Sequence, residues 1–157
     1  MSTPKWNWES GEGLLSINDP AEVDAALDRR DPHIGAAVIG LALNCPPDVV
    51  SPRIIRALEL LPSGQGRDFP FTAIAHLARL DGELTPELYA ALRAEGLGGA
   101  ADNAIDDTLG FVPFRDLPPW LKRRWVYVTV RETLLRWLRP VEAIGEAWRS
   151  LRERGRG

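Results

Sequence analysis

Three groups of side chains could do chemistry, and each lacks the companions that chemistry requires. His33 and His76 are the two histidines, with Asp81 and Glu83 following the second. A zinc or iron site needs several His, Cys or carboxylate ligands converging on one point. Neither histidine has such neighbours at ligand spacing, so both are read as packing or surface residues. Asp102, Asp106 and Asp107 stand at i, i+4 and i+5, a pattern that could serve a hard cation or an acid/base pair. Supporting ligands are missing. Asp102 and Asp106 share a helix face beside Ile105 and Leu109, which reads as a solvated face able to meet a basic partner. Cys45, the single cysteine, precedes Pro46 and Pro47 with no local histidine to activate it. It reads as a small core residue, and it excludes an internal disulfide and a cysteine-based zinc site.

The remaining catalytic patterns fail the same test. No Gly-x-Ser-x-Gly elbow occurs, and Ser63-Gly64-Gln65-Gly66-Arg67 lacks the Lys-Ser/Thr ending of a phosphate loop. The expectation is a chain with no catalytic residues, no metal and no cofactor. Arg149, Arg152, Arg154 and Arg156 could touch phosphates, but the chain carries a net charge of -3, which argues against nucleic acid as the partner.

That charge is unevenly distributed. Residues 1–119 hold 9 Lys/Arg against 18 Asp/Glu, and residues 120–157 hold 10 against 4. Such polarity steers an oppositely charged partner, or draws the two parts of the fold together. At 157 residues, 45% hydrophobic and 26% charged, the chain has the size and composition of one globular domain. No apolar run approaches the roughly 20 residues of a membrane span. The N-terminus lacks the basic start and apolar block of a signal peptide, so a cytoplasmic protein is expected.

The elements that must position these residues are helices throughout. Residues 1–18 show no sustained period and read as an arm, with Trp6 and Trp8 as its anchors. Asp19-Pro20 and Asp31-Pro32 each pair an N-cap carboxylate with a first-turn proline. Val23, Ala26 and Leu27 share one face after the first, and Ile34, Val38, Leu41 and Ala42 after the second. Asp48 opens a third helix along Val50, Ile54, Ala57, Leu58 and Leu61, ended by the linker 62–66. A fourth, over 68–80, carries Phe71, Ile74, Ala75 and Ala78 and closes at Asp81-Gly82. Thr85-Pro86 caps a fifth through Leu88, Ala91 and Leu92 to Gly96. Ala101, Ala104, Ile105, Thr108 and Leu109 define a sixth, stopped by Gly110 and Pro113.

These segments repeat. Ala37-Val38-Ile39-Gly40-Leu41-Ala42 aligns with Ala73-Ile74-Ala75-His76-Leu77-Ala78 at an offset of 36, and Pro52-Arg53-Ile54-Ile55-Arg56-Ala57-Leu58 aligns with Pro86-Glu87-Leu88-Tyr89-Ala90-Ala91-Leu92 at 34. Periods in this range read as a helical solenoid. After Pro118-Pro119 the character changes: four of the six tryptophans follow, and a terminal cap over 117–154 is expected. Leu117, Leu121, Trp125 and Val128 form one stripe, and Tyr127, Val130, Leu134, Trp137 and Val141 another. Pro140 is expected to kink or break this helix, with Val141, Ile144, Trp148 and Leu151 on a last one and 152–157 fraying. A strand over 125–130 is the alternative, although nothing offers to pair with it.

Residues 73–84, Ala73-Ile74-Ala75-His76-Leu77-Ala78-Arg79-Leu80-Asp81-Gly82-Glu83-Leu84, followed by Ala101-Asp102-Asn103-Ala104-Ile105-Asp106-Asp107, resemble small bacterial HEAT-repeat proteins, including the immunity partners of polymorphic or contact-dependent toxins. The resemblance covers about 20–112 and has no counterpart for the Trp-rich segment. It implies an all-α fold of HEAT-like helical hairpins, an α-α superhelix, with 19–112 as helix pairs within one domain over 1–157. It also implies a non-enzymatic immunity protein that binds a basic toxin domain through an acidic surface. Asp81, Glu83, Asp102, Asp106 and Asp107 are the expected contacts. Two rivals are a HEAT-like adaptor or scaffold and a HEAT-like DNA-binding or DNA-glycosylase protein. The last wants a basic groove faced with aromatics, but several of the tryptophans fall at core-like spacing.

Overall fold

The computed structural model describes residues 6–61, 64 and 66–154, with side chains to residue 137. It resolves into two compact units, 1–117 and 118–157, and the boundary falls at the double proline where the sequence changes character. Among the described residues the structure is all-helical, with no strand. The linker expected over 62–66 and the fraying expected over 152–157 lie partly outside the described residues.

In the first unit the helices are α1 (Pro20–Asp28), α2 (Ile34–Asn44), α3 (Pro47–Leu60), α4 (Asp68–Asp81), α5 (Pro86–Glu95) and α6 (Asp102–Phe111). Their starts follow local chemistry, though not always as the sequence suggests. Asp19 caps α1 as expected, its carboxylate accepting the Ala21 amide at 3.0 Å with Pro20 at the first turn. Asp31 makes the same kind of bond to the His33 amide at 2.9 Å, but α2 begins only at Ile34. Pro46, rather than Asp48, occupies the cap of α3. Thr85 stands at the cap of α5 without capping it, because its hydroxyl donates to Ser51 Oγ at 3.0 Å, tying the start of α5 to α3. Gly82 (φ 67°) ends α4 and Gly96 (φ 77°) ends α5, where the left-handed backbone favours glycine. Gly110 is a correction: α6 runs through it to Phe111.

Two rows result. α2, α4 and α6 pack side by side in one, α1, α3 and α5 in the other, so the segments aligned at offsets 36 and 34 are row neighbours. The first row is the tighter. α2 is buried along nearly its whole length, Ile34 to Ala42, and small residues on it admit close neighbours. A Cβ at Gly35 would stand 2.7 Å from Phe69 Cβ, and one at Gly40 would collide with the Leu14 carbonyl oxygen. Between the rows, Ile54, Phe71, Ile74, Leu77, Leu88 and Ile105 are almost wholly buried, each contributing about 1.5–3 kcal/mol relative to exposure.

The arm does more than its aperiodic sequence suggests. Leu14, in a 3-10 turn (Leu14–Ser16), and Ile17 are fully buried, and the turn packs on α2. Trp8 lies under the Arg29 guanidinium at 4.5 Å, a cation–π contact.

The second unit is one helix, α7 (Pro119–Arg154), 36 residues long. It crosses 125–130, which excludes a strand there, and it continues through Pro140 without a break. Leu121 is buried, whereas Trp125, Tyr127, Val130, Leu134 and Trp137 are exposed. The side chains of Val141, Ile144, Trp148 and Leu151 lie outside the description.

Candidate protein-binding site

The five carboxylates expected to form one partner surface divide into two sets. Asp102, the first residue of α6, accepts the Gly98 amide through Oδ1 at 2.8 Å, which fixes the loop entering the helix. Asp107 meets Arg79 Nη2 at 2.8 Å and is largely buried. Both hold the unit together. Asp81, Glu83 and Asp106 are exposed and take no ion pair among the described residues.

Their placement follows from the α4–α5 turn. A Cβ at Gly82 would lie 3.7 Å from the Phe111 carbonyl oxygen, so Asp81 and Glu83 flank the C-terminal end of α6. Asp102 opens the same helix nine residues earlier, about 14 Å along the axis at 1.5 Å per residue. Asp106 lies between, on a shallow depression of about 350 Å³ with Thr72, His76, Arg79, Asn103 and Asp107. The carboxylates are thus strung along α6.

His33 and Cys45 are structural in their surroundings, and His76 lines the depression beside Asp106. His33 Nδ1 stands 3.6 Å from Asp31, and its ring lies against Gly11 of the arm. Cys45 Sγ faces the Asn18 carbonyl at 3.8 Å. Burial pushes its thiol above the ordinary value, more than Arg53 draws it down, so the thiolate is disfavoured and the sulfur is a poor nucleophile. Among the described residues no group of three His, Cys, Asp or Glu side chains is placed to hold a metal ion.

A surface the sequence reading missed lies in the other row. α3 and α5 pack less closely than α2 and α4, and between them runs a groove of two adjoining depressions of about 530 and 570 Å³, with Ile55 and Glu87 common to both. Its floor is apolar: Ile55, Leu58, Phe71, Ala90, Ala91 and Ala94. Asp48, Glu59 and Glu87 stand along it and take no ion pair among the described residues. Arg67 and Glu95, paired at 2.7 Å, close one end. The signal was present in α5, where alanines at 90, 91 and 94 lie outside the buried pair Leu88 and Leu92. Short side chains there leave room that larger ones would fill.

An apolar channel edged with carboxylates that take no ion pair among the described residues suits a basic amphipathic segment, whose apolar face it desolvates while its cations keep water and a counter-charge. No family model, curated protein or solved structure matches the chain.

Proposed function

We propose that the protein is a non-enzymatic binding module of HEAT-like helix pairs, with the Trp-rich C-terminal segment as its terminal helix, and that it acts as an immunity protein, neutralising a basic bacterial toxin by direct binding. The observation that carries this reading is the α3–α5 groove, with its apolar floor and the carboxylates of Asp48, Glu59 and Glu87 left for a partner. The division of charge supports it. The first unit holds 9 Lys/Arg against 18 Asp/Glu, a field that draws a basic protein inward.

The two acidic regions then do different work. The groove forms the buried contact and sets the lifetime of the complex. Asp81, Glu83 and Asp106, exposed along α6, steer the encounter and raise the association rate.

The test is a titration of the purified chain with the product of the neighbouring reading frame, scored for binding and for loss of that product's toxicity. Charge reversal at Glu59 and Glu87 weakens the complex at least about tenfold, mainly through faster dissociation. Reversal at Asp81, Glu83 and Asp106 slows association and flattens its salt dependence. A basic neighbour that neither binds nor is neutralised overturns the reading.

A further inference from the structure

The apolar positions of α7 keep a period that a helix lying on a globular core does not need. Tyr127, Val130, Leu134 and Trp137 are followed by Val141, Ile144, Trp148 and Leu151, in alternating steps of three and four residues throughout. That is the a/d seam of a coiled coil. A straight helix of 3.6 residues per turn drifts about 20° per heptad from it, so a strict repeat over three and a half heptads implies a second helix alongside. No such helix covers the part of the seam whose side chains are described. Tyr127 is 63% exposed, Val130 52%, Leu134 57% and Trp137 74%.

We propose that a second copy of the chain covers this seam, α7 against α7 and antiparallel. Three observations select that occupant and that direction. The first is size. An antiparallel pair centred on residue 139 sets Trp137 level with Val141 of the second copy, Val130 with Trp148, Tyr127 with Leu151 and Leu134 with Ile144. Every aromatic ring is then matched by an aliphatic side chain, whereas a parallel pair stacks tryptophan on tryptophan twice and leaves the valine layers thin.

The second is charge. Residues 119–140 hold 6 Lys/Arg and 1 Asp/Glu, and 141–157 hold 4 and 3. A parallel pair lays the two strongly basic halves on one another, while an antiparallel pair sends them to opposite ends and sets each against a half whose net charge is far less positive. The third is area. Six aromatic rings on the paired seams bury on the order of 1,000 Å², the scale at which a specific interface becomes stable.

The test uses the full chain. Sedimentation equilibrium gives twice 17.4 kDa at micromolar concentration, and association tightens with added salt because the net charge of each helix is positive. Leu134→Asp with Trp137→Asp gives a monomer, weakening association at least about a hundredfold, with the melting of the first unit retained. Direction is read by oxidation in a Cys45→Ser background. Leu138→Cys, next to the centre of the antiparallel pair, cross-links to itself. Leu134→Cys does not, its two copies being about 15 Å apart along the axis. A wild-type chain still monomeric at about 100 μM overturns the proposal, as does a monomer that binds anionic lipid vesicles through the same residues. Cross-linking at Leu134 and not at Leu138 overturns the antiparallel arrangement.

Discussion

Arg67 and Glu95 meet at 2.7 Å through Nη2 and Oε2, while Nη1 of the same arginine donates to the carbonyls of Leu58 and Leu61 at 3.0 and 2.7 Å. One guanidinium therefore satisfies carbonyls orphaned at the end of α3 and holds the end of α5. Both side chains are less than a quarter exposed. Arg67→Met takes away the donors that Arg67 gives a mostly buried carboxylate and two carbonyls and is expected to cost about 2–4 kcal/mol. Arg67→Lys recovers part of this, since an ammonium cannot reproduce the planar fork. Urea denaturation of the two variants decides the matter, and equal losses would remove the guanidinium geometry from the explanation.

Two glycines inside helices give opposite expectations. Gly40 of α2 faces the Leu14 carbonyl so closely that an added methyl collides with backbone, and the arm must lift for it to fit. Gly40→Ala is expected to cost about 2 kcal/mol or more and to expose the arm to proteolysis. Gly110 of α6 is exposed, and a Cβ there meets nothing within 4 Å. Gly110→Ala is expected to gain about 0.5–1 kcal/mol from helix propensity alone. Thermal melts of the pair test the close approach directly, because the chemical change is the same at both sites.

The contrast between those glycines marks what the sequence could disclose. Asp19-Pro20, the apolar stripes and the glycines after α4 and α5 are local signals, and local signals placed the helices to within a few residues. Gly110 looked like a stop because a glycine in a helix and a glycine after one are the same letter; the bonding of the next residues decides, and α6 continues. Leu14 and Ile17 were missed because burial of an arm depends on a distant surface, here α2. The α3–α5 groove was hidden for a related reason. The alanines of α5 hint at room beside it, but whether that room is a cleft depends on how close a neighbouring helix comes. Pro140 removes one amide from the helix ladder, but α7 continues through it.

Carboxylate substitutions along α6 separate structural from recognition effects before any partner is in hand. Asp102→Ala releases the Gly98 amide, and Asp107→Ala releases Arg79. Each is expected to cost about 0.5–2 kcal/mol. Asp81→Ala, Glu83→Ala and Asp106→Ala touch no ion pair among the described residues and are expected to stay within about 0.5 kcal/mol of the parent. Chemical denaturation of the five single variants provides the comparison. If Asp106→Ala were as costly as Asp107→Ala, the division of the cluster would be wrong.

Alkaline pH probes two further groups. Burial raises the Tyr89 phenol above its ordinary 10.0, with Asp116 and Glu83 adding to the effect, and burial raises the Cys45 thiol above 9.0. Each group holds its proton more tightly folded than unfolded, so over the interval between the two values unfolding releases a proton. The stability these two groups contribute is therefore complete below about pH 9 and falls as pH rises, first through the thiol and then through the phenol. Melting temperatures between pH 8 and 11 should decline on that schedule. Cys45→Ala removes the earlier part of the slope and Tyr89→Phe the later part, although the phenylalanine also forfeits the bond at the Leu84 backbone and lowers stability at every pH. A decline that kept its shape in both variants would show that the titrating groups lie elsewhere, with the basic side chains as the next candidates.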